Sequence, residues 1–111
     1  MDKQDILSVG RQLLEKESAA MLSLATMLDE SFVQAVNYLV NCRGHVITSG
    51  VGTTGMIARR LAHLLCNVGC PALFLHSGDS LHGSSGAVRN EDILVLLSKS
   101  GETSETIQLA K

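Results

Sequence analysis

Ile93-Leu94-Val95-Leu96-Leu97 runs directly into Ser98-Lys99-Ser100-Gly101-Glu102-Thr103-Ser104-Glu105. The five aliphatic residues suit a strand buried on both faces and are too few for a helix of their own. Apolar character then stops at once in favour of hydroxyl groups. Gly101 permits a tight turn with backbone N–H groups aimed one way. Thr103 or Ser104 can cap a helix continuing through Ile107, Leu109 and Ala110. Strand, hydroxyl-rich turn and helix N-terminus together offer free N–H donors, a positive dipole end and short hydroxyl donors. That combination is an anion site, and the anion that suits it best is a phosphate on a small metabolite.

Upstream the same texture recurs. His45-Val46-Ile47-Thr48-Ser49 reads as a strand and Gly50-Val51-Gly52-Thr53-Thr54-Gly55 as a glycine turn. Met56 to Val68 reads as a helix with Ile57, Leu61, Leu64, Leu65 and Val68 facing inward, closed by Gly69 and Pro71. Ala72-Leu73-Phe74-Leu75 is a second buried strand. Residues 76 to 91 form a polar segment with room for one short helix, and the 93–97 strand follows. Strand, helix, strand, connection, strand, helix is the grammar of an open parallel α/β sheet.

The N-terminal third is helical. Ile6, Val9, Leu13, Glu17, Ala20, Leu24 and Met27 recur at spacings of three and four, widened by Leu14, Met21 and Leu28, with Glu17 at the edge of the stripe. After Asp29-Glu30-Ser31, with Ser31 as candidate cap, Phe32, Ala35, Val36, Leu39 and Val40 form a second stripe that stops near Gly44. A first helix of about 24 residues is roughly 36 Å long, more than a small sheet needs. The excess reads as a surface for a second copy of the chain, the alternative being a helix that packs only on its own domain.

Composition bounds the possibilities. The chain has 111 residues, 45% hydrophobic and 18% charged, with 3% aromatics and a net charge of -2. One domain is the most this length holds. The absence of a basic field and of stacking aromatics argues against nucleic acid. No apolar run approaches the roughly 20 residues of a membrane span, and Met1-Asp2-Lys3-Gln4-Asp5 does not open a signal peptide. The odd number of cysteines, Cys42, Cys66 and Cys70, in apolar surroundings suits a reduced, cytoplasmic chain. Cys66 and Cys70 lie at helical spacing near His63, but read as small buried hydrophobes rather than a metal pair. No metal and no cofactor is expected, and His45 and His63 are read as structural.

Gly50 to Gly55 fits G-x-G-x-x-G, which raises a dinucleotide fold. That reading needs an acid at the end of the second strand to hold a ribose. The strand ends instead in His76-Ser77, and Asp79 comes later, inside the polar segment. If the strand order is 2-1-3, the first and third strands are neighbours and their loops meet at the switch point of the sheet. With strands about 4.8 Å apart, Thr54 and Ser98 can then reach one small anion. A sugar phosphate fits this double hydroxyl cradle better than a pyrophosphate does.

Three stretches, G-V-G-T-T-G-M-I-A, H-S-G-D-S-L-H-G and L-S-K-S-G-E-T-S-E, resemble the sugar isomerase (SIS) domain, and within it the arabinose-5-phosphate isomerase branch. The likeness covers nearly the whole chain. It implies a flavodoxin-like α/β fold with an open parallel sheet of order 2-1-3, incomplete here, preceded by two N-terminal helices. Residues 1–43 would be the helical segment and 44–111 the core of one domain. It also implies homo-oligomers, dimer or tetramer, built through helices, and aldose–ketose interconversion of a sugar phosphate through an enediol. By position, Gly52, Thr53, Thr54, Ser98, Ser100, Gly101 and Thr103 match the substrate-binding loops. His82 and Glu102 match the catalytic positions, groups of the type that proton transfer and ring opening require. Where the branch has lysine and serine in the first glycine loop, this chain has Thr53-Thr54, and Lys99 is the nearest replacement cation. The chain also stops inside the helix after the third strand, so its catalytic set is incomplete. Three functions follow: an isomerase represented by its N-terminal part, a regulatory module that binds a sugar phosphate without turning it over, and, well behind, a nucleotide-binding domain.

Overall fold

The computed structural model describes residues 2–76 and 84–98, with Ser84 and Ser85 described by backbone alone. Internal contacts divide the chain into two units, residues 1–35 and 36–111. In the first unit, α1 (Lys3–Ala25) starts at a capping box. The Asp2 carboxylate accepts from the N–H of Asp5 at 2.9 Å, and that of Asp5 accepts from the N–H of Asp2 at 3.4 Å. Two otherwise orphaned donors are thereby satisfied. The helix ends at Thr26, whose hydroxyl donates to the Ser23 carbonyl at 2.7 Å. No residue of α1 is buried, and its apolar stripe stands exposed, Leu14 by 66% and Met21 by 74%.

The second helix, α2, spans Glu30–Val40. Its cap is Asp29 rather than Ser31. The Asp29 carboxylate accepts from the Ser31 hydroxyl at 2.6 Å and from the Ser31 N–H at 2.9 Å, and the helix starts two residues earlier than a cap at Ser31 would give. Those two bonds, the hydroxyl first, hold the Asp29 carboxyl below its ordinary pKa.

The second unit carries the sheet. β1 (Val46–Ser49), α3 (Thr53–Asn67), β2 (Ala72–Phe74), a 3-10 turn (Ser84–Ala87) and β3 (Ile93–Leu96) follow in order. The three strands form one parallel sheet, β2-β1-β3. β1 therefore sits between the other two, as the sugar-phosphate reading of the two glycine loops requires. Register is level across it: Val46 opposes Ile93 and Ala72, and Ser49 opposes Leu96.

Every residue of β1 is buried. Val46, Ala62 and Ala72 form the centre of the core, with Leu39, Leu65, Phe74 and Val95 packed on it. Burying a valine such as Val46 completely contributes about 1.5–3 kcal/mol. β2 and β3 are less covered than expected: Leu73 is exposed, and β3 is only half-buried throughout. Both are edge strands of the described sheet, which leaves part of each apolar face open.

α3 begins at Thr53, three residues before the expected start, and it presents a different face. Gly55, Ala58 and Ala62 are its buried residues, whereas Ile57, Leu64 and Val68 are exposed. Small residues face the sheet because the helix approaches closely. A Cβ on Gly50 would lie 2.8 Å from the Thr54 backbone, and one on Gly55 would lie 2.8 Å from the Gly50 carbonyl oxygen. At the far end, Gly69 (φ 83°) donates to the Cys66 carbonyl and Cys70 to that of Leu65. This paired closure is a Schellman motif, as Gly69 and Pro71 lead one to expect. The three cysteines are free thiols, and Cys66 is exposed rather than buried, its Sγ donating to the Ala72 carbonyl at 3.2 Å. No described helix is long and apolar enough to cross a membrane.

Candidate functional site

The carboxyl ends of β1 and β3 lead to the same place. The Leu97 N–H donates to the Ser49 carbonyl at 2.9 Å, which carries the ladder one rung past β3. Beyond β1 the chain turns at once into α3. Gly52 holds φ 62°, a conformation that suits glycine, and it caps α3 without any side-chain hydrogen bond. The first intrahelical bond runs from the Met56 N–H to the Gly52 carbonyl at 3.1 Å, so the N–H groups of the preceding turn have no helical partner. Here Thr53, Thr54, Ile57, Leu97 and Ser98 line one open groove of ≈ 520 Å³.

Of the sequence-predicted residues, Thr53, Thr54 and Ser98 are thus brought together, with Gly52 setting the turn beside them. Ser100, Gly101, Glu102 and Thr103, together with Lys99 and His82, lie outside the described residues. Thr53 is exposed and Thr54 half-buried. The Thr54 hydroxyl is engaged with its own turn, donating to the Val51 carbonyl at 2.8 Å and accepting from the Val51 N–H at 3.2 Å.

Sequence reasoning missed the groups that hold this end of the sheet in place. Thr48 is fully buried, and its hydroxyl donates to the Ala58 carbonyl at 2.6 Å, pinning α3 to β1. The Ser49 hydroxyl donates to the Leu75 carbonyl and ties the end of β1 to the residue after β2. The signal was present, since two hydroxyls at the end of a strand buried on both faces must find internal partners. The opposite end of the sheet is tied by Asp92. Its carboxylate accepts from the backbone N–H groups of His45 and Arg89, each at 2.7 Å. Those bonds, the His45 one foremost, keep the Asp92 carboxyl below its ordinary pKa.

Beside β2, the Arg59 guanidinium lies 4.4 Å from the centre of the Phe74 ring, and Phe74 meets His76 edge-on at 6.4 Å. Among the described residues no three His, Cys, Asp or Glu side chains gather to hold a metal. The arrangement in the groove offers hydroxyls, a helix N-terminus and an apolar wall from Ile57 and Leu97. It can bind a small anion attached to a less polar body.

The SIS domain model matches residues 38–111. Arabinose 5-phosphate isomerase KpsF of Escherichia coli is 41% identical over 105 residues, which is 94% of this chain and 32% of that enzyme. Arabinose 5-phosphate isomerase GutQ of Salmonella typhi is 37% identical over 100 residues, 90% of this chain and 31% of the enzyme. The chain therefore spans about a third of the length of these curated relatives. Among solved structures, an Escherichia coli CFT073 protein in complex with arabinose 5-phosphate superposes with a TM-score of 0.93 at 31% identity, over 98% of this chain and 58% of its own. A candidate sugar-phosphate isomerase from Listeria monocytogenes gives a TM-score of 0.94 at 37% identity, over 98% and 58%. The β2-β1-β3 sheet, the meeting of the carboxyl ends of β1 and β3 and these likenesses agree, and the chain belongs to the SIS domain family.

Proposed function

We propose that this chain is the phosphate-binding part of an aldose–ketose isomerase of the arabinose-5-phosphate type, and that the groove between α3 and the end of β3 holds the sugar phosphate. The observation that carries this is the convergence of Thr53, Thr54 and Ser98 on one groove at the switch point of the sheet. The E. coli CFT073 neighbour, bound to arabinose 5-phosphate, supports the ligand class. Ser100, Gly101 and Thr103 continue the loop, with Gly52 shaping its partner. Glu102 and His82 are the proposed acid–base pair: one removes the proton beside the carbonyl, and the resulting enediol is reprotonated on the adjacent carbon. The chemistry calls for no cofactor. Residues 1–111 are proposed as a single domain, cytoplasmic, that associates into dimers or tetramers through the exposed stripe of α1.

A second reading has its own observation. Thr53-Thr54 replaces the lysine–serine pair of the isomerase branch, which removes a cation from the groove and favours a module that binds a sugar phosphate without converting it. Incubation with arabinose 5-phosphate separates the two. Formation of the 2-ketose isomer supports the isomerase. Tight binding without conversion, measured on the protein carrying any further chain its gene encodes, supports the regulatory module.

A further inference from the structure

α3 is held to the sheet in two ways. Over β1 the buried Thr48 hydroxyl donates to the Ala58 carbonyl. Over β2 the contact is the ring of Phe74, the last residue of that strand. A Cβ on Gly55 would stand 3.9 Å from the Phe74 Cζ, which places the ring against the first turn of α3. One turn further on, the Arg59 guanidinium lies 4.4 Å from the ring centre. A cation there is attracted by the electron-rich face of the ring. Arg59 is exposed, and among the described residues its guanidinium pairs with no carboxylate. The residues that follow Phe74 are fixed as well. The Leu75 N–H donates to the Thr48 carbonyl at 2.8 Å, the Leu75 carbonyl accepts from the Ser49 hydroxyl, and His76 meets the Phe74 ring edge-on. Arg59 stands away from the sugar-phosphate groove. Ile57 lines that groove, and two residues turn a helix by roughly 200°. We propose that Arg59 is a positioning residue that, stacked on Phe74, locks the exit of β2 to the first two turns of α3 and so fixes where the chain departs towards His82, six residues after His76. This role rests on the isomerase reading, with His82 as a proton-transfer group.

The test uses the protein with any further chain its gene encodes, as wild type, Arg59→Met, Arg59→Lys, Phe74→Leu and the double variant Arg59→Met with Phe74→Leu. Met keeps the apolar stem and removes the charge, whereas Lys keeps a cation over the ring. Urea denaturation reads the stack. Arg59→Met lowers the midpoint of the wild type but not that of the Phe74→Leu background, the non-additivity of a contacting pair. Turnover of arabinose 5-phosphate reads the role. In Arg59→Met kcat falls about tenfold while KM moves by less than about twofold, because a proton-transfer group is displaced and phosphate binding is not. Arg59→Lys restores kcat. An unchanged kcat in Arg59→Met overturns the proposal, since a merely structural stack would lower the midpoint alone. A raised KM at unchanged kcat also overturns it, by making Arg59 a binding group, and additive midpoints overturn the stack itself. Where Phe74→Leu does not fold, the kcat of Arg59→Met and its rescue by Arg59→Lys still decide. If the wild type binds arabinose 5-phosphate without converting it, the isomerase reading is wrong and the role of Arg59 in turnover falls with it. The urea midpoints then still decide whether Arg59 and Phe74 are coupled.

Discussion

The two ends of the β1–β3 pair solve the same problem in opposite ways. At the amino end, backbone N–H groups of His45 and Arg89 are taken up by a side chain, the Asp92 carboxylate, and the turn is closed on itself. At the carboxyl end, α3 starts at a glycine that brings no side chain to its first N–H groups, and a groove opens there. An end whose donors are satisfied internally is structural. An end whose first helical donors have no helical partner, beside a groove lined by Thr53, Thr54 and Ser98, is placed to meet something from outside. That difference can be broken from either side.

The largest effect is expected at Gly50. A methyl group there meets the Thr54 carbonyl carbon at 2.8 Å and its oxygen at 2.9 Å, atoms of the backbone that cannot rotate away. Gly50→Ala should cost about 2 to 3 kcal/mol by urea denaturation, the upper part of the range for overpacking, and should displace the groove wall as well. A loss below about 0.5 kcal/mol would mean that α3 is not held against the turn as described.

Asp92 breaks the comparison from the other end. Asp92→Ala should lower Tm while leaving ligand affinity as it was, because the lost acceptor serves only the amino end. The pH dependence has a definite sign. A carboxyl whose pKa is depressed in the folded chain stabilises above its unfolded value, about 3.9, and this contribution fades as pH falls through the lower folded value. The Tm difference between wild type and Asp92→Asn should therefore be full at about pH 6 and close progressively below about pH 3.9. A gap that widens on acidification would contradict the assignment.

Thr48→Val sharpens the comparison further. It removes the bond to the Ala58 carbonyl without changing shape much, and should cost about 1 kcal/mol with a shift in α3 that both ends feel. The smallest effect belongs to the helix outside the sheet. Leu14→Glu on the exposed stripe of α1 should change the stability of the isolated chain by no more than about 0.5 kcal/mol. If α1 meets a second copy, light scattering should show the same substitution shifting the population to smaller species.

Much of this was legible before any coordinates. The apolar run 93–97 followed by hydroxyls, and the repeat of that texture after Ser49, were enough to expect parallel neighbours with converging loops. What periodicity could not resolve was the inward face of α3. Ile57, Leu61, Leu64, Leu65 and Val68 make the larger apolar stripe, whereas Gly55, Ala58 and Ala62 are the buried residues, with Leu65 of the first set also packed on the core. Hydrophobicity selects the first. Close approach of the helix to the sheet selects the second, because only small side chains leave room for the Gly50–Gly55 contact and the Thr48 bond. The cap of α2 was missed for a related reason. Asp29 and Ser31 are both good caps, and sequence cannot show that they are bonded to each other. Spacing also does not reveal that the Thr54 hydroxyl is bonded to Val51 within its own turn.

The most direct test follows the backbone N–H signals of the isotopically labelled chain by NMR during a titration with arabinose 5-phosphate. A bound phosphate should move Thr53, Thr54, Gly55 and Ser98 and leave His45, Arg89 and Asp92 in place. Movement confined to the Asp92 end, or saturating ligand with no change at Thr53 and Ser98, would contradict the claim that the carboxyl ends of β1 and β3 form one sugar-phosphate site.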